Sequence, residues 1–430
     1  MIYLILFSLI LKAAAGGNGL AMTPQMGWNT WNSFGCDIDE DLILSSAQAI
    51  KDKNLTSFGY ECKYRYVQRT TSDNTTGAPV ADPVRFPNGL KHVADQIHSL
   101  GLKANLPGFI AGIYSDAGTF TCEGHFGSLG FEEIDAATYA SWGMDYLKYD
   151  NCYNEGREGT PLISEERYAN MSRALDATGR PILFSLCNWG VDGPWNWAPT
   201  IAHSWRISGD IMDNYDRFDD RCPCTSVIDC KLPGNNCAMT RIIDFAAPLS
   251  EKAGPGRWND ADMLEVGNGG MTFDEYGTMW AVIKSPLILG NDVRNMTAET
   301  LEIITNKAII AVNQDPLGST GIRVWKKTIP SGGDLQLWYG SLVNSTWVIA
   351  VMNTSPEDQS TNITFSEGAT ERTQTYELFD LWDKDDAGDW GKSLGTFSGS
   401  LPETTVKSHQ TKVFRAVPVS AQTKKDVSEL

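Results

Sequence analysis

The chain predicts an α/β fold, a (β/α)8 TIM barrel followed by an antiparallel β-sandwich, on three observations. From residue 25 to about 312, short apolar runs alternate with segments of helical period, as repeated βα units do. Counted along the chain, these units number about eight. Beyond Asn313-Gln-Asp-Pro-Leu-Gly318 the helical period stops and apolar residues alternate with polar ones, the pattern of antiparallel strands covered on one face. The expected organisation is therefore a leader over 1–16, the barrel over 17–315, the sandwich over 316–419 and a tail over 420–430. A chain of 430 residues also exceeds what one small core can organise.

Each element has a local reason. Pro24–Trp31 reads as the first strand, and Asp39 to Lys53 as a helix with an acidic first turn that suits the helix dipole. A disturbed second strand falls near residue 64. Leu90, Val93, Ala94, Ile97 and Leu100 recur at helical spacing and stop at Gly101. Ile113-Tyr114, Tyr146–Asp150, Ile182–Trp189, Ser204–Asp210, Trp258–Leu264 and Pro286–Gly290 supply the later strands. Between them lie helices such as Ser164–Thr178, whose Tyr168, Met171 and Leu175 form one stripe. In the last hundred residues Leu335, Leu337 and Tyr339, then Trp347, Ile349 and Val351, alternate with their neighbours.

Composition narrows the function. A net charge of −18 argues against nucleic-acid and anionic-membrane partners, which require a basic surface. The apolar run over 1–16, followed by small residues, predicts a signal peptide and a secreted protein, and no other run reaches the ~20 apolar residues of a membrane span. Seven Asn-x-Ser/Thr sequons, at Asn54, Asn74, Asn170, Asn295, Asn344, Asn353 and Asn362, agree with export. Nine cysteines in an oxidising compartment predict disulfides with one thiol left over. The spacing of Cys222, Cys224, Cys230 and Cys237, with no histidine nearby, fits two local bridges better than zinc, and the five histidines form no ligand motif. We therefore expect no metal and no cofactor; a homo-oligomer is left open.

The chemistry concentrates in Asp145-Tyr-Leu-Lys-Tyr-Asp-Asn-Cys152. Side chains two apart on a strand share a face, so Lys148 and Asp150 point together and the ammonium is expected to hold the carboxylate ionised. In a barrel of this class catalytic groups sit at the C-terminal ends of strands. Asp150, Asp210 and Asp262 each end such a run, which places three carboxylates at one mouth.

Met26-Gly-Trp-Asn-Thr-Trp31, Tyr146-Leu-Lys-Tyr-Asp-Asn-Cys-Tyr153, Ser185-Leu-Cys-Asn-Trp189, Ser204-Trp-Arg-Ile-Ser-Gly-Asp210 and Trp258-Asn-Asp-Ala-Asp-Met-Leu264 together resemble the melibiase-type α-galactosidases, glycoside hydrolase family 27, and especially their secreted fungal members. The resemblance runs from about residue 22 to 318 in motif order and continues more weakly through the sandwich. It implies retaining hydrolysis of terminal α-D-galactosyl residues, with Asp150 as nucleophile and Asp210 as general acid/base, a pair whose environments must separate their pKa values. It further implies that Trp31 stacks on the sugar, with Trp28 an alternative. Tyr114 and Lys148 then line the pocket, Arg206 lies near the 2-hydroxyl, and Asp262 with Met263 closes the wall. The Cys187-Asn188-Trp189 loop would exclude a 2-acetamido group by bulk, favouring galactose over N-acetylgalactosamine and leaving Cys187 as the unpaired thiol. Cys122 is expected to pair with Cys152.

The resemblance breaks in strand two. Family members carry Asp-Asp-Cys-Trp there, the aspartates gripping the 4- and 6-hydroxyls of galactose, whereas this chain reads Gly59-Tyr-Glu-Cys-Lys-Tyr-Arg-Tyr-Val-Gln-Arg-Thr-Thr71. Cys62 is the available partner for Cys36 there. Residues 104–111 look inserted, and about three residues look missing between Tyr276 and Met279. Charged hydrogen bonds to sugar hydroxyls contribute roughly 1.5–3 kcal/mol each, so losing the aspartates predicts a kcat/KM lower by several powers of ten. Two other readings follow: a different specificity, α-N-acetylgalactosaminidase or β-L-arabinopyranosidase, and a sugar-binding protein impaired in catalysis.

Overall fold

The strands form where the apolar runs are short and rich in branched or aromatic residues, and they close on themselves. In a computed structural model, residues 18–60, 62–64, 71–72, 77–101, 110–227, 236–276, 278–368 and 374–419 are described. Among these, Met26–Asn29 (β1), Cys62–Tyr64 (β2), Ile110–Asp116 (β3), Tyr146–Asp150 (β4), Leu183–Cys187 (β5), Ser204–Arg206 (β6), Trp258–Asp260 (β7) and Leu287–Leu289 (β8) are hydrogen-bonded in the order β8-β1-β2-β3-β4-β5-β6-β7. The pairings are parallel, and a bridge from Leu264 to Leu289 joins the two ends of the row. This is the (β/α)8 barrel.

The helices begin where the sequence supplies caps. Asp39 accepts from the amide of Leu42 at the start of Glu40–Asp52, and Thr160 accepts from that of Ile163 ahead of Pro161–Ala177. Gly89–Leu100 buries Leu90, Val93, Ala94 and Ile97, the stripe read from the sequence. At the lower end of β4, Asp145 takes the amide of Ala111 at 2.9 Å and the His98 ring at 2.6 Å, and pairs with Arg180. That cluster fixes the strand that carries Lys148 and Asp150 to the mouth.

Three boundaries differ from the sequence reading. β3 is seven residues long, Ile110–Asp116, where the sequence predicts only Ile113-Tyr114, because Gly112 to Asp116 pair with Tyr146–Asp150 along five consecutive positions. Ile110 and Ala111, the last two residues of the stretch that looks inserted, lie in this strand; the rest of that stretch lies outside the described residues, as do Gly277, the leader and the tail. β6 ends at Arg206, four residues before Asp210, and β7 ends at Asp260. Asp210 and Asp262 therefore stand on the loops above their strands, Asp262 at φ +81°.

The C-terminal region is a six-stranded antiparallel sheet faced by a two-stranded one, Gln359–Thr361 with Thr404–Val406. Between the two sheets lie Leu335, Leu337, Tyr339, Ile349, Val351, Phe365 and Val406. The opposite face is also covered: Trp338, Val348, Ala350, Met352 and Val413 join the barrel's own core. Asp334–Ser341 is thus buried on both sides, with Gln336 and Trp338 facing the barrel where alternation alone suggested solvent.

Candidate active site

A cavity of about 880 Å³ opens at the C-terminal end of the barrel. Trp31, Lys148, Asp150, Trp189, Arg206, Asp210, Asp262 and Met263 line it. Eight residues from five separate stretches of sequence thus share one wall, as the convergence of strand ends in a barrel requires.

Asp150 occupies the floor and is only 5% exposed. Its Oδ2 accepts from the Tyr114 hydroxyl at 2.8 Å, and its Oδ1 from the amide of Asn151 at 3.0 Å. Helix Pro161–Ala177 reaches up behind it: Tyr168 donates to the Asp150 carbonyl at 3.0 Å, and Arg167 donates to Asn151 Oδ1 at 2.5 Å and to the Ala117 carbonyl at 3.1 Å. The side chain is therefore held from below by a rigid element.

Asp210 stands on the rim, its side chain 49% exposed, with Oδ1 3.2 Å from Arg206 Nη2. The same guanidinium nitrogen is 2.7 Å from Asp262 Oδ2, which also accepts from the amide of Ile211 at 2.9 Å. Asp262 Oδ1 takes the amide of Met263 at 2.8 Å. Arg206, itself buried, donates towards Cys187 Sγ at 3.6 Å. Cys187 consequently sits behind Arg206, while Trp189, at φ +58°, turns into the cavity.

Electrostatics correct one expectation. Lys148 does pull the Asp150 carboxyl down, but burial is the larger effect and the nearby Asp210 charge adds to it, so the pKa lies above the usual carboxylate value. Burial also opposes charge on Lys148; Cys187, Asp262 and Asp150 outweigh it, and the ammonium is held more firmly than usual. Asp116, opposite Asp150 on β3, is raised well above the normal range by burial and by Asp150, and its Oδ1 has no hydrogen-bond partner among the described residues.

A scan of known families then decides the assignment: the family described as alpha galactosidase A matches residues 23–315, and its C-terminal beta sandwich domain matches 332–416. The chain belongs to this α-galactosidase family. Alpha-galactosidase mel1 of Schizosaccharomyces pombe is 49% identical over 362 residues, 81% of this chain and 80% of that protein. The crystal structure of α-galactosidase I from Mortierella vinacea superposes with a TM-score of 0.85 at 47% identity, covering 93% of this chain and 98% of that one. An α-galactosidase from Saccharomyces cerevisiae solved with raffinose gives a TM-score of 0.88 at 38% identity over 95% of this chain and all of that one.

Within the family frame, the two tryptophans near strand one separate: Trp28 is fully buried in the core, donating to the Asn291 carbonyl, while Trp31 faces the cavity. Tyr114 reaches the site through Asp150. Cys122 and Cys152 are bridged, as are Cys222 and Cys237; Cys224 is also disulfide-bonded. Cys230 and the side chain of Cys62 lie outside the described residues. Asp116, Cys122 and Cys152 form a cluster of metal-ligand types among the described residues, yet the disulfide takes both sulfurs.

The sequence reading missed Glu265. It lines the cavity, is buried, and accepts from the amides of Asn32 and Asn268, tying the loop after β1 to the loop after β7. Burial, with Asp262 and Asp213 nearby, pushes its carboxyl up to about 8. Only its position three residues beyond Asp262, in a stretch otherwise apolar or small, marked it in the sequence.

Proposed function

We propose that this α-galactosidase hydrolyses terminal α-D-galactosyl residues with retention, through Asp150 and Asp210. The observation that carries the reading is the unequal setting of the two carboxyls in one cavity, Asp150 on a closed floor and Asp210 at an open rim. A sugar seated against Trp31 presents its anomeric carbon to Asp150 and its glycosidic oxygen to Asp210. Asp210 gives its proton to that oxygen as the bond breaks, and the leaving group departs through the mouth. Asp150 forms the glycosyl-enzyme bond; Asp210 then takes a proton from the water that releases galactose. Arg206 positions Asp210, and Lys148, which has no ion-pair partner within 4.0 Å among the described residues, is available to sugar hydroxyls.

Galactose is favoured over N-acetylgalactosamine because Trp189 lines the cavity together with the Arg206–Asp262 pair, which leaves a bulky 2-substituent against an aromatic ring. The strand-two aspartates of the family have no counterpart over residues 59–72, so the 4- and 6-hydroxyls depend on other groups. We read that as weaker sugar capture in an enzyme whose catalytic pair is in place. Hydrolysis of p-nitrophenyl α-D-galactoside, with the anomer first released read by proton NMR, tests the assignment: α-galactose is expected. Initial β-galactose would overturn retention, and binding of galactose without turnover would favour the sugar-binding reading.

Export and glycosylation belong to the same reading. Asn54, Asn295, Asn344 and Asn362 are exposed, Asn295 lining the mouth of the cavity. Asn353 is not accessible: it is fully buried, and its amide donates to the carbonyls of Glu357, Val406 and Lys407. Asn74 lies outside the described residues. No helix among the described residues is long and apolar enough to cross a membrane. Peptide mass mapping of protein recovered from the medium of a secreting host tests both points.

A further inference from the structure

Three aromatic rings stand exposed beside the cavity without a packing role in the core. Phe120 is 39% exposed, Phe126 43% and Tyr153 55%. Phe120 and Phe126 are stacked with centroids 5.7 Å apart and planes 25° from parallel; Tyr153 meets Phe120 edge-on, also at 5.7 Å. The rings form an apolar corner open to solvent, and an exposed cluster of this kind is a candidate contact surface.

The corner adjoins the catalytic cavity through the Cys122–Cys152 disulfide. Cys122, two residues after Phe120, lines the cavity, and its disulfide partner Cys152 directly precedes Tyr153. Asp150 lies two residues before that cysteine. The segment is also rigid. Thr119 donates its amide to the Tyr153 carbonyl at 3.0 Å, Gly127 to Thr119 at 2.9 Å and Thr121 to His125 at 2.6 Å. A Cβ at Gly118 would come within 1.8 Å of the Cys152 carbonyl oxygen, and one at Gly127 within 2.1 Å of Gly118's, so only glycine permits the approach that sets the rings. Exposed Glu123 and Glu155 flank the corner with acceptors, and Thr119 Oγ1 donates to Glu155 at 2.8 Å.

A hexopyranose has an apolar face of C–H bonds and an equator of hydroxyls, which fits a rigid aromatic corner edged with carboxylates. We propose that Phe120, Phe126 and Tyr153 form a platform for the hexopyranose chain on the leaving-group side of the scissile bond. The inference rests on the hydrolytic reading above. It identifies the preferred substrate as a galactosyl group borne on a longer saccharide, because a short leaving group ends before it reaches the rings.

The test compares two substrates in the full chain carrying F120S, F126S and Y153S together. For a galactosylated β-mannan oligosaccharide, kcat/KM should fall roughly tenfold, through KM. For p-nitrophenyl α-D-galactoside it should stay within about twofold, because that aglycone is too short to span the corner. An equal change on both substrates, no change on either, or a change in oligomeric state instead would overturn the proposal. Should the variant fail to fold, galactose-free mannopentaose is titrated into the unaltered protein: it should shift the Phe120, Phe126 and Tyr153 ring resonances, and their constancy would overturn the platform. A parent chain inactive on every α-galactoside sinks the hydrolytic reading separately, and the titration still reports on the corner.

Discussion

The floor and the rim of the cavity carry the same functional group in opposite settings. On the floor, Asp150 is closed in by β3, β4 and helix Pro161–Ala177, with each oxygen accepting one hydrogen bond. On the rim, Asp210 stands on an irregular loop, half open to solvent, with Arg206 as its neighbour. On the proposed assignment, the contrast teaches that a barrel can divide the labour of two aspartates by depth. A nucleophile must stay at fixed distance from one atom, which a strand end in a packed wall provides; an acid/base must exchange protons with water, which a loop at the mouth permits.

The comparison can be broken most directly at its floor. Asp150→Asn should lower turnover by on the order of 10⁴-fold or more on every substrate, measured by initial rates. Parity with the parent would remove the nucleophile assignment. Asp210→Asn should cost about 10² to 10⁴, and the loss should depend on leaving group, larger for raffinose than for an activated aryl galactoside. A uniform loss would move the acid elsewhere. Tyr114→Phe deletes one of the hydrogen bonds on Asp150 and should reduce kcat roughly tenfold with little change in the melting temperature. A selective effect on KM instead would place Tyr114 on the sugar.

The smallest effect sharpens a different part of the wall. The Glu265 carboxyl is raised to about 8 in the fold, so the folded state holds its proton more tightly than the unfolded chain does. Its contribution is therefore fully present below about pH 4.5 and is lost as pH rises through about 8. Glu265→Gln should leave stability unchanged near pH 4.5 and raise it by ~1 kcal/mol or more at pH 8, read by denaturant titration at the two values. Identical pH dependence in parent and variant would show that the clamp between Asn32 and Asn268 does not titrate.

Much of this was legible from the sequence for a physical reason. β4 is five residues of one regular strand, so period-two reasoning placed Lys148 and Asp150 on one face and set Asp150 at the end. Regularity failed above the strand ends. Asp210 and Asp262 sit four and two residues beyond β6 and β7, on loops whose course is fixed by contacts distant in sequence, such as the Arg206–Asp262 pair. Glu265 was illegible for the same reason: its partner Asn32 is 233 residues away. The sign of the Asp150 shift was missed because spacing reveals the neighbouring charge of Lys148 and says nothing of how much water the fold excludes. Trp338 went the same way, since alternation reports one buried face and the barrel supplies a second.

That doubly buried strand has a consequence for biosynthesis. Chains emerge from the ribosome amino terminus first, so the barrel can assemble before the sheet bearing Trp338, Val348 and Met352 exists to cover its flank. During that interval the nascent protein presents an apolar surface with no owner, and Trp382 and His409 have yet to meet Thr278 and Glu275. A transcript truncated after residue 315 would leave that interval permanent, its product a client for chaperones and proteases in place of a smaller enzyme.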